Sequence, residues 1–157
     1  MMISRGVLLT GIILITGIVG GIMIYWQTVY SPGNFSCEGQ LTLLDKKTSY
    51  DLLINFTFAD GTGLYEATGL YKDQYGNAVN TSNKVVFDYW RKGQNIYMFS
   101  KEINELPKTK VPLITWKPDF FRKRNRGITF QIVQENTGGY LFLYDHAPLF
   151  YCTLHNR

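Results

Sequence analysis

Between residues 50 and 58 the chain reads YDLLINFTF, with a large apolar side chain at every second position. Tyr50, Leu52, Ile54, Phe56 and Phe58 share one side, while Asp51, Asn55 and Thr57 take the other. A repeat of two belongs to a β-strand with one face buried, because successive side chains on a pleated backbone point to opposite faces. ADGTG (59–63) then supplies turn residues, GLYEATGLY (63–71) a partner strand, and KDQYGN (72–77) a second turn. NKVVFDYW (83–90), RKGQ (91–94) and NIYMFSKEI (95–103) repeat the hairpin, and ITFQIVQE, NTGG, YLFLYD, HAP and LFYCTLH carry the alternation from 128 to 155. With FSCEGQLTLL (35–44) in front, this makes about eight short strands joined mostly by tight turns.

The one irregular stretch is NELPKTKVPLITWKPDFFRKRNRG (104–127), which contains Pro107, Pro112 and Pro118. Proline has no N–H for a sheet ladder, so the segment reads as a long connection with at most a short edge strand at PLITW. No helical period appears after residue 34. Consecutive strands linked this way form an antiparallel meander, and closing it into a barrel or pairing it into a sandwich protects its edges. A barrel of about eight strands has room for one small apolar ligand, as in lipocalins, or is filled by its own side chains.

The pattern changes completely at the N-terminus. Gly6 to Trp26, GVLLTGIILITGIVGGIMIYW, has no charged residue. That is the length needed to cross about 30 Å of hydrocarbon at about 1.5 Å per residue. Arg5 precedes it and no charge follows until Glu38, so the positive flank places the N-terminus in the cytoplasm. Tyr25, Trp26 and Tyr30 fall where an interfacial aromatic belt belongs, and they are too bulky for a signal-peptidase exit site. Gly17-x-x-x-Gly21 has the spacing that permits close helix packing in lipid. The expected organisation is a cytoplasmic N-terminus (1–5), a transmembrane helix (6–26), a linker (27–34) broken by Pro32 and Gly33, and a periplasmic all-β domain (35–157).

That placement gives the two cysteines a meaning. In an oxidising compartment an even pair is expected to form a disulfide, and Cys37 and Cys152 lie in the first and last strands. Two buried free thiols are the alternative. Closing so long a loop removes about 4–5 kcal/mol of unfolded-state entropy in the chain-entropy model. No C-x-x-C motif is present, which argues against thiol redox catalysis and a zinc ribbon.

Composition narrows the function classes. Aromatic residues make up 15% of the chain, in keeping with pleated, half-buried surfaces. The formal charge of +4 is low for a nucleic-acid binder. Seven of the basic residues, Lys108, Lys110, Lys117, Arg122, Lys123, Arg124 and Arg126, crowd the stretch from Leu106 to Arg126 with one acid, Asp119. They form either a solvated loop or a docking surface for acidic head groups or an acidic protein. No G-x-S-x-G elbow, H-E-x-x-H, P-loop or dinucleotide fingerprint occurs, and His146 and His155 lack paired ligand spacing, so no enzyme, metal or cofactor is expected. His146, beside Asp145, is a candidate for a pH response, the role histidine most often fills near neutral pH. Asp60 and Asp73 read as turn residues, without the ligand spacing of a calcium loop. The Asn-x-Ser/Thr triplets at Asn34, Asn55 and Asn80 carry little weight, since Asn55 falls within a strand.

An apolar N-terminal anchor, a cysteine in FSCEGQL and another in FYCTLHNR give the chain a layout that resembles the FidL-like family of small bacterial membrane proteins. The resemblance implies a periplasmic accessory partner of a membrane-spanning transcriptional regulator, as in the ToxR–ToxS and VtrA–VtrC pairs. In the latter a lipocalin-like barrel receives bile salts. Single binding residues do not transfer, because no site motif matches position by position. The expected function is thus to bind and modulate a membrane-bound regulator, with a small amphipathic ligand as a candidate signal. A stand-alone carrier or sensor of apolar molecules is the alternative.

Overall fold

The computed structural model describes residues 14–23, 34–45, 47–107 and 117–154, and the chain divides into two compact units, Met1–Gly33 and Asn34–Arg157. In the first, residues 14–23 form an α-helix on which Leu14, Ile15, Ile18, Val19, Ile22 and Met23 are exposed. Among the described residues no helix is long and apolar enough to cross a membrane. The rest of the expected 6–26 span, the aromatic belt and linker residues 27–33 lie outside the described residues.

In the second unit the alternation produces eight strands: β1 (Phe35–Asp45), β2 (Thr48–Ala59), β3 (Thr62–Lys72), β4 (Ala78–Lys92), β5 (Asn95–Leu106), β6 (Gly127–Asn136), β7 (Gly139–Tyr144) and β8 (Ala147–Leu154). They pair antiparallel in chain order and close into a barrel, which settles the barrel-or-sandwich alternative. The turns have the expected chemistry. Asp60–Gly61 and Asp145–His146 both take positive φ, as two-residue hairpin loops require. The break at HAP is thus a tight turn, and Pro148 behind it sits where the β7–β8 register shifts, a place where a missing N–H is tolerated.

Closure is uneven. β1 and β2 stay in register from Phe35 opposite Phe58 to Asp45 opposite Thr48. Among the described residues β1 and β8 pair only where Cys37, Glu38 and Gly39 face Leu154, Thr153 and Cys152. The disulfide Cys37–Cys152, with Cα atoms 5.3 Å apart, lies in this seam. It therefore joins first strand to last as the sequence implied, and does so where the pairing among the described residues is shortest. Gly39 belongs to the same junction: a Cβ there would sit 2.8 Å from the Phe150 ring, which crosses over it.

Inward residues form one aromatic core. Phe56 stacks on Phe142 at 5.2 Å and on Phe58 at 5.8 Å, and Phe142 stacks on Phe150 at 4.7 Å. Burying each such ring contributes roughly 1.5–3 kcal/mol. Among its described residues the long connection contributes to this core through a 3-10 turn, Asp119–Phe121, in a stretch that carries no helical signal. Phe120, almost fully buried, meets Phe87 at 5.7 Å, and Phe121 meets Tyr65 at 4.7 Å. The expected edge strand at PLITW (112–116) lies outside the described residues.

Candidate functional site: a cavity at one end of the barrel

The inward register of β3, β4 and β5 turns polar toward the end formed by the β1–β2, β3–β4, β5–β6 and β7–β8 connections. Ala67 faces Asn83, and Asn83 faces Glu105. Asn83 shares its face with Val85 and Phe87 and is only 4% exposed. Its Nδ2 donates to the Phe121 carbonyl at 2.9 Å, while Oδ1, equally buried, has no hydrogen-bond partner. Glu105 accepts from Lys117 Nζ at 2.8 Å. Tyr50 and Thr81 share a hydroxyl–hydroxyl bond of 2.7 Å.

Tyr50, Asn83 and Lys117 line an apolar cavity of about 100 Å³ together with Leu41, Leu43, Leu52, Ile54, Phe56 and Ala67, and Tyr65 and Tyr144 add two further phenols to its wall. Leu149 and Phe150 of β8 complete the wall beside Leu41 and Leu43 of β1. Those strands no longer pair beyond Gly39, so the parted seam flanks the cavity. Its volume is well under the roughly 300–1,000 Å³ of sites for drug-sized ligands. It approaches the engineered cavity of about 150 Å³ that takes benzene.

Apart from Lys117, paired to Glu105, burial keeps the Tyr50 and Tyr65 phenols of the wall neutral. Burial raises the Tyr65 phenol well above its ordinary value, and the nearby Tyr50 and Glu105 push the same way. Burial also raises Tyr50, against the lowering effect of its bond to Thr81, and Glu105 adds to the rise. Both hydroxyls therefore stay protonated at neutral pH. Neither carboxylates nor histidines gather here, and among the described residues no group of His, Cys, Asp or Glu is placed to hold a metal ion.

The basic residues singled out by sequence do not stay together. Lys117 points to Glu105 at the cavity and is mostly buried, and Lys123 pairs with Asp119 at 3.1 Å. Arg124 and Arg126 are exposed, Arg122 is half-buried, and Lys108 and Lys110 lie outside the described residues. The loop's backbone is fixed from below. Buried Ser100 Oγ donates to the Lys123 carbonyl at 2.8 Å and accepts from Arg126 N–H at 3.0 Å. His146 is exposed in its turn, and His155 lies outside the described residues. The sequence reading passed over Asn83, Tyr65 and Glu105. Asn83 carried a usable signal, a polar residue in step with Val85 and Phe87 on an apolar face.

The fold and the cavity together define an up-and-down β-barrel domain stapled across its closing seam. The family model for the YqeJ C-terminal domain matches residues 34–152, and the chain belongs to that family. The match establishes this family and not a FidL-like one. A search of curated proteins finds no relative at significant similarity.

Proposed function

We propose that the chain is a single-pass bacterial inner-membrane protein with a cytoplasmic N-terminus, whose periplasmic barrel binds and modulates a membrane-bound transcriptional regulator in response to a small ligand. The observation that carries the placement is the Cys37–Cys152 disulfide, a bond that persists in oxidising compartments. The exposed apolar residues of helix 14–23 support an anchor, since a helix apolar all round needs lipid or protein about it. The regulator rests on the FidL-like layout. Anchoring partner and barrel in one membrane raises their effective concentration without adding contacts. The contact surface in this reading is the basic connection, where among the described residues Arg122, Arg124 and Arg126 remain after Lys117 and Lys123 take carboxylate partners.

Cross-linked co-purification from native membranes tests the proposal. The intact chain is expected to recover a membrane-spanning DNA-binding protein, and the triple charge reversal R122E/R124E/R126E to lose it. Recovery of no such protein with the intact chain would contradict the reading.

The apolar cavity favours a second reading, a carrier or sensor of apolar molecules that acts without a protein partner. Native mass spectrometry of the full chain would then release a small molecule from partner-free protein. A bile salt exceeds a cavity of about 100 Å³, so the ligand in either reading is smaller.

A further inference from the structure

We infer that the cavity is a binding site for a small apolar molecule of about one ring that carries a single hydrogen-bond donor, such as a phenol or an alcohol, seated with that donor on Asn83 Oδ1. The inference deepens the ligand-sensing part of the proposed function and is independent of the regulator.

Four observations converge. The walls are aliphatic and aromatic, and the volume of about 100 Å³ limits an occupant to roughly the size of benzene. The Asn83 amide is oriented by its own bond, because the Phe121 carbonyl accepts only from Nδ2 and so leaves Oδ1 as an acceptor. That acceptor is buried and unmatched, in a core where polar groups are ordinarily paired. Ala67, opposite Asn83 across β3 and β4, is small enough to leave room beside the amide.

The chemistry sets the selectivity. A hydroxyl donates to Oδ1 and keeps its apolar body against Leu52 and Ile54. A ligand without a donor leaves the amide unmatched, and an ether or carbonyl brings two acceptors face to face. A site built to hydrogen-bond a ligand group discriminates strongly against analogues lacking it. A single bound water could also satisfy Oδ1, so the test must separate water from ligand.

The full chain in lipid nanodiscs, with alanine methyls isotope-labelled, would be titrated with phenol and with toluene while the Ala67 resonance is followed by NMR. Phenol is expected to shift Ala67 saturably, and toluene to bind at least about tenfold more weakly. Asn83→Leu should abolish the preference, and Ile54→Trp should fill the cavity and abolish binding of both. Equal affinity of the wild-type chain for phenol and toluene, or no saturable shift with either because only water occupies the site, would overturn the inference. The wild-type comparison needs no variant, so poor folding of Asn83→Leu does not blunt it. Co-purification of the regulator is a separate readout, and a negative result here leaves that reading standing.

Discussion

Where β1 begins, the barrel interior is filled ring against ring: Phe35 lies 4.6 Å from Phe58 and 4.5 Å from Tyr140, and Phe58 lies 5.6 Å from Phe87. At the opposite end the same inward registers carry Tyr50, Tyr65 and Asn83 around a cavity, with Glu105 behind Lys117. One end is thus close-packed, and the other keeps free volume and a polar atom without a partner. Close packing stabilises a fold through many small contacts, whereas an open, partly polar interior contributes less stability and leaves room for recognition. The staple also has its place in this comparison: Cys37–Cys152 holds the seam just before β1 and β8 part.

Truncation to alanine should cost more at the packed end than beside the cavity. Phe87→Ala at the packed end is expected to cost about 3–5 kcal/mol in chemical denaturation. Leu43→Ala beside the cavity should cost about 1 kcal/mol, because Leu43 is only partly buried. Next in size is the staple. The double variant C37A/C152A should lose about 2–4 kcal/mol. Hydrogen exchange should then accelerate first in β1 and β8, where ladder pairing is shortest.

A smaller effect is expected at Asn83. Asn83→Leu gives up the bond to Phe121 but also removes an unmatched acceptor, so stability should change by no more than about 1 kcal/mol in either direction, as read by the denaturation midpoint. A larger loss would mean that the amide holds the connection in place rather than marking a ligand site.

The smallest effect is a pH dependence at the cavity end. Tyr65 has a folded-state pKa above the ordinary value of 10.0, mainly because burial disfavours its phenolate. A group raised on folding contributes stability that is fully present below the unfolded pKa and is lost as pH rises through the folded one. Alkaline titration should therefore destabilise the wild-type barrel above pH 10.0, and Tyr65→Phe should flatten part of that slope.

The packed end was the legible one. Strict alternation in YDLLINFTF, glycine- and aspartate-bearing turns, and cysteines in the terminal strands were enough to anticipate an eight-stranded meander and its disulfide. Closure into a barrel was not decidable, because alternation records that one face is buried and not whether the sheet curls on itself. The cavity end was harder for a specific reason. Its residues sit on different strands and meet only through register, as Ala67, Asn83 and Glu105 do across β3, β4 and β5. Phe120 and Phe121 were visible as an aromatic pair beside basic residues. Nothing local told that they turn inward, while Lys117 leaves the cationic surface to pair with Glu105.

The placement of the barrel can be tested directly by blocking free thiols in intact cells with a membrane-permeant alkylating reagent and then taking the intact mass of the chain. The account predicts no added mass without reductant, and alkylation of both Cys37 and Cys152 once the chain is reduced and unfolded. Two alkylated thiols in unreduced cells would mean a reducing compartment, and the single-pass periplasmic arrangement would be wrong.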